Sequence, residues 1–277
     1  MTSRDSLPRA LILQHDLFLK TLDNHLLRCP VSSSPVNRVL DIGTGCGIWA
    51  ADFAAAHASA QVIGVDNFPQ PKIVAPSNCR FLDLDAEQQS WDELADTKFD
   101  LIHTRLVPFH AAELPALLRR CYEHLAAGGW MEMQDVCPPC RTDEPPGAAE
   151  HQSKVVEWTN LRLMAAAKLG IDQGISARLP AMLREAGFVD VCAQEHKWPV
   201  GPWVNDKRLK EIGAMNLELL RLSMMGLSKE LLANLGMGEE EVEEFVKGVK
   251  EELGVGGVYS SVRIVWGRKL DHDTRDE

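Results

Sequence analysis

The sequence lacks an apolar run of about 18 residues, the length that a membrane-spanning helix needs, so we expect no membrane partner. It also lacks an excess of basic residues, since 29 Lys and Arg stand against 40 Asp and Glu and the formal net charge is −11. Phosphate binding needs a face rich in Lys and Arg, so the acidic balance argues against a nucleic-acid partner. Residues 1–8 lack an apolar core followed by a cleavage site, and we expect no signal peptide.

An even set of cysteines is also missing, because the chain has seven. Most of them lie in apolar segments, which is typical of reduced, buried thiols, and we expect a cytoplasmic protein. Cys137 and Cys140 form one C-x-x-C motif without a second pair. A zinc site needs about four ligands, so we expect no metal and interpret this motif as a turn after a strand.

Strand and helix periodicities alternate along the first half of the chain. Strands are predicted at 36–42, 60–66, 79–83, 98–103 and 130–136, with helices at 48–57 and 114–125. This alternation predicts an α/β fold with a mostly parallel sheet covered on both faces. Further helices are predicted at 10–27, 147–169, 175–186, 206–224, 228–235 and 239–253, and further strands at 188–196 and 259–269.

The segment from Val39 to Gly47, with the sequence VLDIGTGCG, lies between a predicted strand and a predicted helix. Its three glycines allow a sharp turn and let a ligand lie against the backbone without a Cβ in the way. Asp66 ends the next predicted strand. A carboxylate there can accept hydrogen bonds from both ribose hydroxyls of a nucleotide cofactor, so the segment predicts a nucleotide site.

Two nucleotide cofactors compete for this motif. Dinucleotide-binding proteins use G-x-G-x-x-G and place the pyrophosphate at a helix N-terminus. Here the spacing is G-x-G-x-G, and Asp41 precedes Gly43 by two residues. A carboxylate at that place would repel a pyrophosphate and suits an ammonium or sulfonium group. The motif therefore favours S-adenosylmethionine over NAD.

Motifs outside the glycine segment add specificity. They are Leu13–Phe18 (LQHDLF), Arg38–Ala50 ending in GIWA, Asp85–Glu87 with Trp91, Phe99–Arg105 (FDLIHTR), Gly128–Gln134 (GGWMEMQ), Glu185–Phe188, Pro199–Trp203 and Trp266–Lys269. In these motifs the sequence resembles the class I methyltransferases that depend on S-adenosylmethionine. Within them it is similar to the fungal LaeA-like or UMTA-type group associated with secondary metabolism, over nearly the whole chain.

The resemblance implies a fold and a division of the chain. It implies a Rossmann-like class I methyltransferase sheet, mostly parallel with an antiparallel last strand, and a helical cover over the substrate site. Residues 1–277 then form a single methyltransferase domain in which 36–140 bind the cofactor. The helical cap consists of 10–27, 147–169 and 206–253.

The resemblance also implies site residues for S-adenosylmethionine and its product, S-adenosylhomocysteine. The methionine part is expected at Asp41, Gly43 and Gly45, the ribose at Asp66, and the adenine amino group at Asp85, with Asp83 as an open alternative. His103 and Arg105 are expected near the sulfonium, and Gln14 and His15 are expected to close over the methionine end. Thr44, Asn67 and Leu84 are expected to complete the cofactor site.

Methyl transfer from a sulfonium requires that the acceptor is positioned and water excluded. A hydroxyl acceptor must also lose a proton, and histidine is the natural base. We expect His103 or His151 in this role, with His110 as a further candidate and Gln134 orienting the acceptor. The apolar residues of the cap favour a hydrophobic small molecule, methylated on oxygen.

Two alternatives stay open at this stage. One is a LaeA-like regulator that binds S-adenosylmethionine and acts in the nucleus through protein partners. The other is a cyclase that keeps the cofactor without transferring its methyl group. A homodimer is compatible with the sequence in each case.

Overall fold

The computed structural model describes residues 7–31, 36–67, 73–143 and 153–271. Seven strands form one sheet: β1 (Arg38–Ile42), β2 (Gln61–Asp66), β3 (Cys79–Asp83), β4 (Phe99–Arg105), β5 (Leu125–Thr142), β6 (Val189–Pro199) and β7 (Val258–Arg268). The strand order is β3-β2-β1-β4-β5-β7-β6. β1 to β5 pair in parallel, and β7 runs antiparallel to β5 and β6. The prediction of a mostly parallel sheet with an antiparallel last strand is therefore confirmed.

In the described ranges, seven α-helices surround this sheet: α1 (Arg9–Thr21), α2 (Ile48–Ala56), α3 (Leu114–His124), α4 (Lys154–Lys168), α5 (Leu179–Glu185), α6 (Lys207–Ala233) and α7 (Glu239–Glu252). One sheet face packs against α3 and α5, and the other packs against α1, α2 and the first half of α6. A third apolar cluster joins α4, α7 and the second half of α6. Among the described residues no helix is both long and apolar enough to cross a membrane.

The helix before β1 is shorter than the pattern over 10–27 predicts. α1 ends at Thr21 because Asp23 and Asn24 take left-handed φ values of 56° and 63°. The N–H of Asn24 bonds to the carbonyl of Leu19 at 2.7 Å and closes the helix. Asp and Asn are the residues after Gly that tolerate this conformation best, so they mark the true end of the helix.

α6 is one helix where the sequence predicts two, over 206–224 and 228–235. Gly226 lies inside it, and a single glycine lowers helix stability without ending a helix. The buried side chains Met224, Ser228 and Leu232 continue the same apolar face past Gly226. The hydroxyl of Ser228 also accepts the indole N–H of Trp158 at 2.8 Å, which fixes α6 against α4.

The observed boundaries of α4 and β5 also differ from the predicted ones, for local reasons. α4 begins at Lys154, where the side chain of Ser153 accepts the N–H of Val155, and residues 147–152 of the predicted helix lie outside the described residues. β5 extends past its predicted end, since β7 pairs with it on both sides of an irregularity at Cys137–Arg141. The C-x-x-C segment therefore interrupts a strand pair, and the interpretation as a turn after a strand is wrong.

Candidate functional site

A cavity of about 510 Å³ lies at the carboxyl ends of β1, β2 and β4, where ligands bind in open α/β sheets. The turn after β1 and the segments that follow β2, β3 and β4 form its wall, and α1 contributes from the N-terminal side. Most of the residues expected at the cofactor site line it: Gln14, Asp41, Gly43, Thr44, Gly45, Asp66, Asn67, Leu84, Asp85 and Arg105.

The turn after β1 is a loop of alternating glycines with left-handed backbone. Gly43, Gly45 and Gly47 have φ values of 68°, 55° and 77°, which glycine adopts without strain. A Cβ on Gly43 would lie 2.3 Å from Cγ2 of Val107, whereas a Cβ on Gly45 would meet no atom of the described residues within 4 Å. The backbone at Gly45 therefore faces open space that a ligand can occupy.

Asp66 fixes this glycine loop and lines the cavity at the same time. Its Oδ2 accepts the N–H of Gly45 at 2.8 Å. The preceding carbonyl, that of Val65, accepts the N–H groups of Gly43 and Thr44 at 2.9 and 3.0 Å. The loop is thus held to the end of β2, next to a carboxylate that can accept hydroxyl hydrogen bonds.

Asp41 is buried under the loop and has a partner at each carboxylate oxygen. Its Oδ2 accepts the hydroxyl of Thr44 at 2.7 Å, and its Oδ1 lies 2.8 Å from Nδ1 of His103. The parallel register of β1 and β4 places His103 beside Asp41. The imidazole is fully buried and stacks on Trp49, with ring centroids 3.6 Å apart. His103 does not line the cavity, and its expected role as a base stays a prediction.

The segment after β3 separates the two adenine candidates. Asp85 is half-buried and lines the cavity, whereas Asp83 is exposed and does not. Oδ1 of Asp85 accepts the N–H groups of Glu87 and Gln88 at 2.9 and 3.1 Å and so orders this turn. Of these two carboxylates, Asp85 is therefore the one placed to meet a ligand in the cavity.

Glu87 closes the same end of the cavity by clamping the segment after β4. Its two carboxylate oxygens bind the N–H and the Nδ1 of His110, each at 2.9 Å. The loop that follows α4 joins here, because Ile171 forms a strand bridge to His110. His110 therefore lies on the rim, hydrogen-bonded to Glu87.

Arg105 and His15 meet at the opposite end of the cavity, where α1 contacts β4. Arg105 lines the cavity, and its guanidinium lies 3.0 Å from Nδ1 of His15 and 5.1 Å from the ring centroid of Phe18. Burial lowers the pKa of Arg105 to about 10, and Asp41 and Asp52 offset part of this effect. His15 is fully buried and does not line the cavity.

The remaining catalytic candidates lie elsewhere. Gln134 is fully buried, and its amide donates to the carbonyl of Leu26 at 2.9 Å and to Oε1 of Glu132 at 2.8 Å. It does not line the cavity, so its expected role with the acceptor stays a prediction. His151 lies outside the described residues. Trp158 and Met224, two of the apolar residues of the cap, are buried in the cluster between α4, α6 and α7.

Sequence reasoning named His110 but missed the preceding loop residues, Leu106 to Phe109, and the carboxylate of Asp135. All five residues from Leu106 to His110 line the cavity, and they directly follow β4. The rule that ligands bind after the carboxyl ends of strands is the signal that could have found them. Asp135 follows Gln134, whose carbonyl accepts the N–H of Leu106 at 3.0 Å. Burial raises the pKa of Asp135 to about 7, and the N–H of Leu106 opposes this shift.

Known proteins resemble this chain in sequence and in fold. A family model described as a methyltransferase domain matches residues 13–193. The probable methyltransferase tdiE of Emericella nidulans is 33% identical over 96% of this chain and 83% of its own length. The secondary metabolism regulator laeA of Fusarium oxysporum f. sp. lycopersici is 34% identical over 87% of this chain and 77% of its own length.

A solved structure shares the fold at a greater sequence distance. Haemonchus contortus phosphoethanolamine N-methyltransferase 2, in complex with S-adenosyl-L-methionine, superposes with a TM-score of 0.51 at 17% identity. The similarity covers 86% of this chain, which spans 50% of the length of that protein. At this identity the likeness shows the architecture alone.

Proposed function

The chain belongs to the methyltransferase-domain family as a LaeA-like class I member, and from this premise we propose that it transfers the methyl group of S-adenosylmethionine to a small apolar molecule. The relatives named for secondary metabolism support a place in fungal secondary metabolism. Oxygen is the methylated atom in this proposal.

The observation that carries the proposal is the arrangement of carboxylates around the glycine loop. Asp66 and Asp85 follow neighbouring parallel strands and line one cavity, and the open space at Gly45 lies between β1 and that edge. These groups fit a nucleoside, with hydroxyls bound to Asp66 and an amino group bound to Asp85. Asp41, beneath the loop, puts negative charge where a positively charged ligand is favoured.

The cofactor supplies an activated methyl group on a positively charged sulfur, and the protein supplies position and a dry site. The glycine loop and the segment from Leu106 to His110 enclose the ligand between β1 and β4. Asp41 and His103, bound to each other, fix the floor beneath the loop. Both groups are buried, and their mutual hydrogen bond holds the site in shape.

We propose that Asp135 acts as the base: one of its Oδ atoms accepts the proton that a hydroxyl acceptor loses. This half-buried carboxyl lies within β5, one residue after Gln134, which pairs with Arg105 at the end of β4. The carbonyl of Gln134 is bonded to the N–H of the cavity residue Leu106. A pKa of about 7 suits a group that takes up a proton near neutral pH.

A regulatory role is the second candidate, because two groups of relatives carry different names. One is named for methyltransferases, and the other, at 30–34% identity, for regulators of secondary metabolism. Both roles would use the same cofactor cavity. Only the methyltransferase role requires that a labelled methyl group is transferred from S-adenosylmethionine to a small molecule.

Calorimetry with S-adenosylhomocysteine and with NAD tests the cofactor. We expect the nucleoside thioether to bind and NAD to fail at the same concentration. Asp66→Asn removes a charged acceptor and should weaken binding about tenfold or more, since hydrogen bonds to charged groups contribute roughly 1.5–3 kcal/mol. Asp85→Asn should weaken binding, and Asp83→Asn, on the exposed neighbouring position, should leave it unchanged. Binding of NAD alone would contradict the proposal.

Incubation with methyl-labelled S-adenosylmethionine and an extract of fungal metabolites tests the transfer. Mass spectrometry should find the label in one or a few apolar small molecules, and Asp66→Asn should abolish it. Label found only in protein, or cofactor binding without any transfer, would favour the regulatory candidate.

A further inference from the structure

Arg105 is a cation at the wall of the cavity, and the described residues give it no direct anionic partner. Its guanidinium contacts the imidazole of His15 and the ring of Phe18, and among the described residues no carboxylate forms an ion pair with it. Asp41 and Asp52 act on it only at longer range. A desolvated cation that lines a cavity is stabilised by an anionic group of the ligand that enters there.

His15 and Asp52 hold this guanidinium in place from two other elements. Arg105 carries only donors, so Nδ1 of His15, 3.0 Å away, must accept its hydrogen bond. The imidazole then carries its proton on Nε2, which lies 3.0 Å from Oδ2 of Asp52 and donates to it. The chain of contacts therefore runs from α2 through α1 to the end of β4.

The charges of the cofactor select which of its groups meets Arg105. S-adenosylmethionine has one carboxylate, at its methionine end, and a sulfonium that a guanidinium would repel. Asp66 ends β2 and Asp85 follows β3, on one side of β1, whereas Arg105 ends β4 on the other side. A nucleoside that occupies the first side extends its methionine end towards the second. A position of Arg105 near the sulfonium, as expected from the sequence, is therefore less favourable than a position near the carboxylate.

We propose that Arg105 binds the carboxylate of the cofactor's methionine end, and that His15 and Asp52 are positioning residues that aim its guanidinium. This inference rests on the proposed function, because it requires that the cofactor occupies this cavity. The planar guanidinium can bind a carboxylate through two parallel hydrogen bonds, and a fixed orientation lowers the entropy lost on binding.

A pair of ligands that differ in one group tests the proposal. S-adenosylhomocysteine has the carboxylate, and its decarboxylated form, S-adenosyl-3-thiopropylamine, lacks it but keeps the adenosine, the sulfur and the amine. By calorimetry, the wild type should bind the first at least about tenfold more tightly, the effect of one charged hydrogen-bonded pair. Arg105→Met should remove this preference and leave the affinity for the decarboxylated ligand within about twofold.

His15 needs a test that separates positioning from support of the fold. His15→Leu should lower the affinity for S-adenosylhomocysteine several-fold and leave the decarboxylated ligand unaffected. His15→Gln should restore most of the affinity, because its carbonyl can accept from Arg105 while its amide donates to Asp52. An equal loss for both ligands in His15→Leu would mean that His15 only supports α1, and the positioning role would be wrong.

The results for the wild type test the proposed cofactor and the proposed role of Arg105 separately. If neither ligand binds, the proposed cofactor is wrong, and with it the inference. If both bind with equal affinity, the cofactor stands and the role of Arg105 is overturned. Thermal unfolding of each variant shows that the changes in affinity occur in folded protein.

Discussion

Gly43 and Gly45 lie in the same loop and share a left-handed backbone conformation, but their surroundings differ. Both Gly43 and Gly45 have positive φ, so alanine at either position costs about 1–2 kcal/mol of backbone strain. Only at Gly43 would the new Cβ also collide with a side chain, that of Val107. Gly43 therefore allows the segments after β1 and β4 to pack closely, and Gly45 leaves open space beside the loop.

We expect Gly43→Ala to lower the free energy of unfolding by more than Gly45→Ala, because it adds the clash with Val107 to the strain. Urea unfolding of both variants measures the difference. The double variant Gly43→Ala with Val107→Ala should recover only the part of the free energy of unfolding that the clash removes, and the backbone strain should remain. Equal losses in the two single variants would show that the contact with Val107 is unimportant for stability. Gly45→Ala should instead weaken binding of S-adenosylhomocysteine, since its Cβ enters the open space of the cavity.

Asp135 should make stability depend on pH with a defined sign. Its pKa rises from 3.8 to about 7 on folding because burial disfavours the charged form. Between these values the folded protein retains a proton that the unfolded chain has released, so stability falls as pH rises. Relative to Asp135→Asn, the wild type should therefore lose free energy of unfolding from about pH 4 to about pH 7 and change little above it. Urea unfolding at several pH values measures this, and parallel curves for the two proteins would contradict it.

Helix α6 carries two glycines that the structure treats differently. A Cβ on Gly226 would meet no atom within 4 Å, whereas a Cβ on Gly213 would lie 2.2 Å from the carbonyl oxygen of Gly201. The N–H of Gly201 in turn donates to the carbonyl of Gly213 at 3.2 Å. Gly213 thus allows the chain after β6 to pass close to the helix, and Gly226 has no such neighbour.

Substitution of each glycine by alanine should shift stability in opposite directions. Gly226→Ala should stabilise the protein by about 0.5–1 kcal/mol, the difference in helix preference between the two residues. Gly213→Ala should destabilise it, because backbone atoms of Gly201 cannot move aside as a flexible side chain can. Thermal unfolding with circular dichroism at a helix wavelength measures both. A destabilising Gly226→Ala would mean that α6 is broken at this point in solution, as the two separate helical patterns of the sequence predict.

At the scale of the whole molecule, the sequence predicts local structure better than the assembly of the site. The alternation of apolar segments predicts all seven strands, because each buried strand requires its own short apolar run. It does not predict that His103 is a buried partner of Asp41, since that contact depends on the pairing of β1 with β4. A histidine in a strand has the same local pattern whether it faces a ligand or another strand.

The same limit applies to the residues that close the cavity. The positions of Asp66 and Asp85 at the cavity are predictable, because Asp66 ends β2, Asp85 lies shortly after β3, and ligands bind at the carboxyl ends of such strands. The pair of Glu87 and His110 is 23 residues apart and follows from the way two loops meet. The division of the chain into a core over 36–140 and a helical cap stays a prediction.

The segment that links α1 to β1 has a further consequence for how the chain is made. Glu132 accepts the N–H groups of Arg28 and Cys29, and the hydroxyl of Thr21 accepts the indole N–H of Trp198 at 2.7 Å. These partners are 103 to 177 residues apart, so α1 leaves the ribosome long before its binding surface exists. At about 5–20 residues per second, synthesis of the 177 residues that separate Thr21 from Trp198 takes roughly 10–35 s, so α1 waits that long for this partner. The part of the cavity wall that α1 supplies through Gln14 can therefore dock only after β6 has been made.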